Sequence, residues 1–220
     1  LTNSSFANAS DGTGGGAIHT VPSSAFDQPA SVQATPGGID QRAGVDGTVS
    51  TLSSYGRPYA ALFAYKRAET LLGQADASCK LPWNLVAAIG RVESNHGRSD
   101  GNSLSADGIA KPGIYGVLLD GRDGRTKIND TDNGTIDRNA VYDRAVGPMQ
   151  FVPATWKSVA VDADNDGMKN PQDIDDAATA AGIYLCAGVG DLSTESGAAA
   201  AVQRYNHSSS YVEMVLKISD

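Results

Sequence analysis

The stretch from Trp83 to Arg98 constrains the fold most strongly, because its apolar residues recur with the spacing of a helix. Leu85, Ile89 and Val92 are three or four residues apart, so they share one helical face and predict a buried stripe. We expect this helix to run from about Pro82 to Asn95 and to pack against the core of the protein.

An acidic residue, Glu93, directly follows this stripe near the predicted C-terminus of the helix. A carboxylate at this position lies at the unfavourable end of the helix dipole and beside an apolar core, and both effects favour a raised pKa. A general acid that works near neutral pH needs such a pKa, so Glu93 is a candidate catalytic acid. The alternative is a solvated side chain that pairs with Arg91 or Arg98.

The rest of the chain predicts a mainly α-helical protein. Residues 1–50 are rich in small and polar residues and predict a flexible segment, whereas residues 51–220 predict one folded domain. The predicted helices cover about 58–75, 82–95, 174–186, 195–205 and 210–218, and a further one begins at Pro153. The C-terminal helix, at about 210–218, is expected to start with a capping box over Ser210–Glu213. Residues 98–146 carry little periodicity and predict a long irregular region, with at most short turns or a small hairpin around Ile114–Leu119.

The two cysteines, Cys79 and Cys186, are too few and too widely spaced for a zinc cluster. They are either two buried thiols or one long-range disulfide, and we favour the disulfide. Such a bond would close a loop of about 100 residues and stabilise the fold by roughly 4–5 kcal/mol in the loop-entropy treatment. It would also indicate a protein that is exported from the cytoplasm.

The charge and the hydropathy of the chain argue against a nucleic-acid partner and against a transmembrane segment. The 220-residue chain has 25 acidic and 17 basic residues, a net charge of −8, so no basic surface for nucleic acid is predicted. No apolar run reaches the roughly 18–20 residues that span a bilayer, so no transmembrane segment is predicted. We expect a monomer and no organic cofactor.

The run from Asp162 to Asp173 has the spacing of a calcium-binding loop of the EF-hand type. Oxygen donors stand at loop positions 1, 3, 5, 7 and 12 and a glycine at position 6, which is the arrangement that Ca²⁺ requires. The candidate ligands are Asp162, Asp164, Asp166, the backbone carbonyl of Met168, and Asp173. Asp173 replaces the usual glutamate and would bind through one oxygen or weaken the site. The alternative is a plain acidic turn.

A neighbouring run, Asn129–Gly134, has similar residue types in the wrong register for this loop. We interpret it as a polar turn, with a second ion as the alternative.

The turn that follows Val146 has residues suited to contact with a sugar. Gly147 allows a ligand to approach the backbone closely. Met149 and Phe151 offer apolar surface, and Gln150 offers a paired donor and acceptor. Taken alone, this stretch is more typical of a tight turn that contributes two core residues.

Tyr205 and Asn206 end the penultimate predicted helix, where they either bind a substrate or cap the helix. His207 follows them, but no serine or cysteine stands at the motif spacing of a nucleophilic triad. The sequence therefore does not predict a triad enzyme.

Taken in order, three segments resemble the signature motifs of lytic murein transglycosylases: Ile89–Gly97, Arg144–Phe151 and Tyr205–Asn206. The calcium-type loop soon after the second segment resembles the membrane-bound lytic transglycosylase B family, in particular its secreted actinobacterial branch. The resemblance covers about residues 57–218. It implies a goose-lysozyme-like, mostly α fold with the substrate in a groove, and a secreted or cell-envelope location.

The resemblance also implies a reaction on the glycan strands of peptidoglycan. Enzymes of this family cleave the β-1,4 bond between N-acetylmuramic acid and N-acetylglucosamine without water and leave a 1,6-anhydromuramoyl end. Glu93 would first protonate the leaving oxygen and then take the proton from the C6 hydroxyl. The N-acetyl oxygen of the substrate would stabilise the oxocarbenium-like centre, so no second carboxylate is needed.

The other motif residues receive roles by the same resemblance. Gln150 and Asn206 would hold the N-acetyl group or sugar hydroxyls, and Ser94 would orient the carboxylate. The side chains that would line the groove are those of Met149, Phe151 and Tyr205. The calcium ion would be structural.

Two other functions remain open at this point. One is a hydrolytic muramidase of the same fold, which would need a base for its water, such as Asp120, Asp123 or Asp143. The other is a catalytically silent module that binds the cell wall.

Overall fold

The computed structural model describes residues 30–31, 59–188 and 190–220. Over these residues the protein is mainly helical, which confirms the predicted class. Six α-helices are present in this part of the chain: α1 Tyr59–Ala75, α2 Trp83–Ser94, α3 Pro153–Val159, α4 Ile174–Cys186, α5 Glu195–Tyr205 and α6 Ser209–Ser219. Apart from Ala30 and Ser31, the segment predicted to be flexible lies outside the described residues.

Helix α2 follows the predicted pattern closely. It starts after Pro82, which has an extended backbone, and it ends at Asn95, whose φ of 52° lies in the left-handed region. The amide of this C-cap donates back to carbonyls of the last turn, as in common helix ends. Leu85 and Ile89 are buried, so the apolar stripe does face the core.

The core forms mainly where α1 packs along α4 and where α2 packs against α6 and α1. Tyr65 and Leu72 of α1 are fully buried there. At Gly182 of α4, a Cβ atom would come within 2.8 Å of Leu81 and 3.2 Å of Leu72. The absence of a side chain at Gly182 therefore allows the two helices to approach each other closely.

Cys79 and Cys186 form a disulfide, with their Cα atoms 5.5 Å apart. This confirms the predicted pairing. The bond joins the turn before α2 to the C-terminal end of α4. It links parts of the chain that are 107 residues apart in sequence.

Residues 98–146 form the predicted irregular region. Two short strands, β1 Ser103–Leu104 and β2 Ala110–Lys111, pair antiparallel. A small hairpin lies at the end of the segment Ile114–Leu119, because the Leu119 carbonyl accepts from the Ile128 amide and Asp120 pairs with Lys127. The rest of this segment pairs with later residues, since Gly116 donates to the Ala145 carbonyl and Gly147 donates to the Ile114 carbonyl. This pairing brings the irregular region beside the turn that follows Val146.

Helix α6 starts slightly earlier than predicted. The hydroxyl of Ser208, rather than that of Ser210, accepts a hydrogen bond from the Tyr211 amide, at 3.4 Å. Ser208 has the extended backbone that an N-cap residue needs, whereas Ser210 already lies inside the helix. Among the described helices, none combines the length and the apolar character that crossing a membrane requires.

Candidate active site

Glu93 lies in the last turn of α2 and is only 7% exposed. The hydroxyl of Tyr211, in the first turn of α6, donates a hydrogen bond to Glu93 Oε1 at 2.5 Å. Burial, and then the nearby charge of Glu93, raises the pKa of Tyr211 well above its usual value. Tyr211 therefore stays protonated and remains a donor to the carboxylate across the physiological pH range.

Sequence reasoning did not identify Tyr211 as a site residue. The only local signal was the buried face that it shares with Val215 and Ile218 in α6. That spacing indicates a core residue and carries no information about a partner 118 residues away.

A second buried tyrosine, Tyr205, lies near Glu93 and supports the turn after Val146. Its hydroxyl donates to the Met149 carbonyl at 2.7 Å. Its ring packs edge-on against Phe151 and Tyr184, with centroids 6.0 and 5.6 Å away. Burial, and then the charge of Glu93, raises the pKa of Tyr205 well above its usual value. The carboxylate thus lies in a largely aromatic environment.

Gly147 begins a tight turn that ends at Phe151. Val146 and Phe151 exchange two backbone hydrogen bonds, of 2.9 and 3.0 Å, across this turn. Gly147 has a φ of +79°, and a Cβ atom there would lie 1.7 Å from the Pro171 carbonyl oxygen. The close approach predicted at Gly147 is therefore made by the backbone of this chain. Contact of Gly147 with a ligand stays a prediction.

Ser94 connects the end of α2 to this turn. Its hydroxyl donates to the Pro148 carbonyl at 2.6 Å and accepts from the Gly97 amide at 2.8 Å. Because Ser94 adjoins Glu93, these bonds fix the turn relative to the carboxylate. The predicted orienting role of Ser94 would then act through the backbone.

The two predicted amide side chains also have partners within the protein. Gln150 Nε2 donates to the Gly147 carbonyl at 2.9 Å. Asn206 Oδ1 accepts from the Ser208 amide at 3.0 Å, and its Nδ2 lies 3.5 Å from the Ser31 hydroxyl. The Ser31 amide donates to the Tyr205 carbonyl, so residue 31 lies across the end of α5 and covers Asn206.

The structure therefore connects all the predicted catalytic and substrate-binding residues in one cluster. Each of them is buried: Glu93, Ser94, Gly147, Met149, Gln150, Phe151, Tyr205 and Asn206. Met149 and Phe151 belong to the hydrophobic core. Direct contact between these side chains and a sugar stays a prediction.

His96 is a further buried polar residue at this end of α2 that sequence reasoning did not single out. Its Nδ1 lies 3.0 Å from the hydroxyl of Tyr65, and the side chain is fully buried. A Cβ atom at Gly90 would lie 2.2 Å from the same hydroxyl. Gly90 thus leaves room for Tyr65 to reach His96.

The acidic loop brings its predicted carboxylates together. Asp164, Asp166 and Asp173 each offer an oxygen within 4.8 Å of the others. Asp162 forms a second such group with Asp164 and Asp176. The backbone supports this arrangement, since the Gly167 amide donates to Asp162 Oδ2 at 3.0 Å. These residues could hold a divalent cation through hard oxygen ligands.

Asp176, in the first turn of α4, was not predicted as a ligand. It is buried, and its two oxygens accept from the Ala163 and Asn170 amides at 2.7 and 2.8 Å, which ties the two sides of the loop together. Burial raises the pKa of Asp176 to about 7 and that of Asp173 to about 6. A bound cation would instead favour the ionised forms of both groups.

The neighbouring run at residues 129–134 forms the predicted polar turn and also gathers carboxylates. Asp130, Asp132 and Asp143 offer oxygens within 4.8 Å of one another. Asp143 is fully buried, and both of its oxygens accept from Thr131, at 2.8 and 2.6 Å. These internal bonds account for the turn.

Comparisons with known proteins add no assignment to this geometry. A scan against protein-family models and searches of curated proteins and of solved structures found no match to the chain.

Proposed function

We propose that this protein is a peptidoglycan lytic transglycosylase with a lysozyme-like helical domain. The observation that carries the proposal is the setting of Glu93. Its carboxylate is buried at the end of α2, accepts a hydrogen bond from Tyr211, and adjoins Ser94, which is bonded to the turn Gly147–Phe151. A single carboxylate in a low-polarity site suits a reaction in which one group acts first as an acid and then as a base.

The contacts suggest how the site would work. Tyr211 holds Oε1, so the carboxylate has a fixed orientation when the glycosidic oxygen of a substrate reaches it. Glu93 would donate its proton to this leaving oxygen as its bond to C1 breaks. The resulting carboxylate would then accept the proton of the C6 hydroxyl while the C6 oxygen bonds to C1. This site would be supported by three side chains of the hydrophobic core, those of Met149, Phe151 and Tyr205.

The alternative muramidase reaction needs a base for an attacking water, and the candidate residues are poorly suited to that role. Asp143 is fully buried, with both oxygens bonded to Thr131. The pKa of the Asp120 carboxyl is lowered by a hydrogen bond from the Arg122 backbone and by the side chain of Arg125. Asp123 is highly exposed and pairs with Arg125 at 3.2 Å. These contacts favour the transglycosylase over the muramidase.

We also propose a structural metal ion and an extracytoplasmic location for this enzyme. The loop 162–173 would bind a structural Ca²⁺ and hold the segment between α3 and α4 in one conformation. Its support is the convergence of the carboxylates. A secreted or cell-envelope location is supported by the disulfide, because such bonds persist in oxidising compartments.

The test is mass spectrometry of purified peptidoglycan digested by the wild type, by Glu93→Gln and by Glu213→Gln. Glu93→Gln keeps the shape of the side chain and removes its proton. Glu213→Gln is a matched control, because Glu213 is exposed on α6 close to Tyr211 in sequence. We expect 1,6-anhydromuramoyl ends from the wild type and the control, and none from Glu93→Gln.

The other outcomes each contradict the proposal in a different way. Reducing ends that are heavier by one water would identify a muramidase. Retained glycan binding with no soluble fragments from any of the three proteins would identify a wall-binding module. Near wild-type cleavage by Glu93→Gln would exclude Glu93 as the catalytic acid.

A further inference from the structure

A cavity of about 460 Å³ lies in the irregular region, next to the turn Gly147–Phe151. Its walls come from the end of β2, from residues 135–138 and from the last part of the acidic loop, residues 169–172. None of the predicted catalytic or substrate-binding residues lines it. Its volume is within the range of about 300–1,000 Å³ that is typical of sites for small organic ligands.

The charge of this cavity is opposite to that of the chain. Three basic residues line it, Lys111, Arg138 and Lys169, and no acidic residue is among the lining residues. In the whole chain, acidic residues outnumber basic ones by 25 to 17. A concave surface with only positive charges on an otherwise acidic protein attracts anions.

Arg138, an exposed residue, lies over an aromatic ring at this cavity. Its guanidinium carbon lies 4.7 Å from the centre of the Tyr115 ring, and that of Arg144 lies 4.8 Å from the same centre. A guanidinium directs its N–H groups outward in its own plane, so contact with an aromatic ring leaves those donors for an oxyanion. Stacking also reduces the conformational entropy that Arg138 would lose on binding.

A further part of the wall is fixed by hydrogen bonds within the protein. Gln172 Oε1 accepts from the Ile114 amide and its Nε2 donates to the Ile114 carbonyl, both at 2.9 Å. Gln172 therefore shapes the cavity. Ile109 and Ile136, both half-buried, add some apolar surface, which an organic ligand can contact and an inorganic ion cannot use.

From these observations we infer that the cavity binds a small organic anion with at least two carboxylates, which Lys111 and Arg138 contact directly. Such a ligand has two sources with the same chemistry, a short acidic peptide or a free dicarboxylic acid. The inference is independent of the reaction proposed for Glu93, because that residue does not line the cavity.

Isothermal titration of the full chain in calcium-containing buffer tests this inference. The probes are the tripeptide Ala-Glu-Ala, the same peptide with both carboxyl groups amidated, glutarate and inorganic phosphate. The variants are Arg138→Gln and Lys111→Gln, with Arg122→Gln as the matched control. Arg122 is an exposed arginine of the same irregular region that does not line the cavity. Circular dichroism checks that each variant is folded.

We expect at least one dicarboxylate probe to bind and the amidated peptide not to bind. Each cavity variant should weaken binding about tenfold, as expected for the loss of one charge-assisted contact. Added salt should weaken it further. Tighter binding of the tripeptide than of glutarate indicates a peptide source, and the reverse indicates a free acid.

Four results would overturn the inference. The first three are no binding of either dicarboxylate, equal binding of the amidated peptide, and an equal effect of Arg122→Gln. The fourth is phosphate binding that matches the dicarboxylates, because the apolar surface would then contribute nothing. Glu93→Gln should bind the probes like the wild type, so the outcome does not depend on whether the protein cleaves glycans.

Discussion

Loss of the Cys79–Cys186 disulfide should lower the melting temperature substantially. The bond joins residues 107 positions apart, so it restricts a large part of the unfolded chain. For a loop of this size the loss of chain entropy corresponds to about 4.7 kcal/mol at 25 °C. A domain of roughly 150–250 residues changes its melting temperature by about 2–4 °C for each kcal/mol. We therefore expect a decrease of about 10–20 °C.

The assay is thermal unfolding followed by circular dichroism, with and without reductant, at constant pH and calcium concentration. The double variant Cys79→Ala/Cys186→Ala should melt near the temperature of the reduced wild type, apart from a small cost for the lost sulfur contacts. Reductant should leave the double variant unchanged, because it has no cysteine left.

A decrease of less than about 3 °C on reduction would refute this reasoning, because it corresponds to only about 1 kcal/mol. It would mean that the unfolded chain is restricted in some other way, so that the disulfide adds little. A decrease of similar size in the double variant on addition of reductant would show that the reagent acts elsewhere.

Three further predictions concern the candidate active site and the acidic loop. Tyr211→Phe should lower the kcat of glycan release roughly 10–100-fold, as expected for loss of a hydrogen bond to a charged group. A wild-type rate would contradict the role of the contact between Tyr211 and Glu93. Gly147→Ala should destabilise the fold by about 2–5 kcal/mol in urea unfolding, because residue 147 has a left-handed backbone and its new Cβ would clash with the Pro171 carbonyl. Unchanged stability would contradict the close packing of residue 147 against Pro171. In chelator, the melting temperature should fall between about pH 4 and pH 7, because burial raises the pKa values of Asp173 and Asp176 in the folded protein to about 6 and 7. The stability that these groups give is present below the ordinary pKa of an aspartate and is lost as the pH rises through the raised values. Added calcium should therefore raise the melting temperature more at the upper end of this range, and a calcium effect independent of pH would contradict binding at these carboxylates.

The helices were predictable from the sequence because their signals are local. The apolar spacing in α2 and in α4 depends on neighbours within a few turns, and the structure has α4 over the predicted residues. The acidic loop was also predictable in outline, because its carboxylates follow one another at fixed spacing within a single short segment. Asp176 was not predicted because it lies in the first turn of the next helix, outside the spacing of the loop.

The sequence by itself determined the helical class, the candidate acid Glu93 and the acidic loop, since each depends on residues that are close together in the chain. Only the tertiary structure decided that Tyr211 contacts Glu93 and that Ser94 bonds to the turn at Pro148. It also decided that Arg138 stacks on Tyr115 beside a cavity. These contacts join segments whose separation in sequence carries no periodic signal, and they form only when packing of the core brings the segments together.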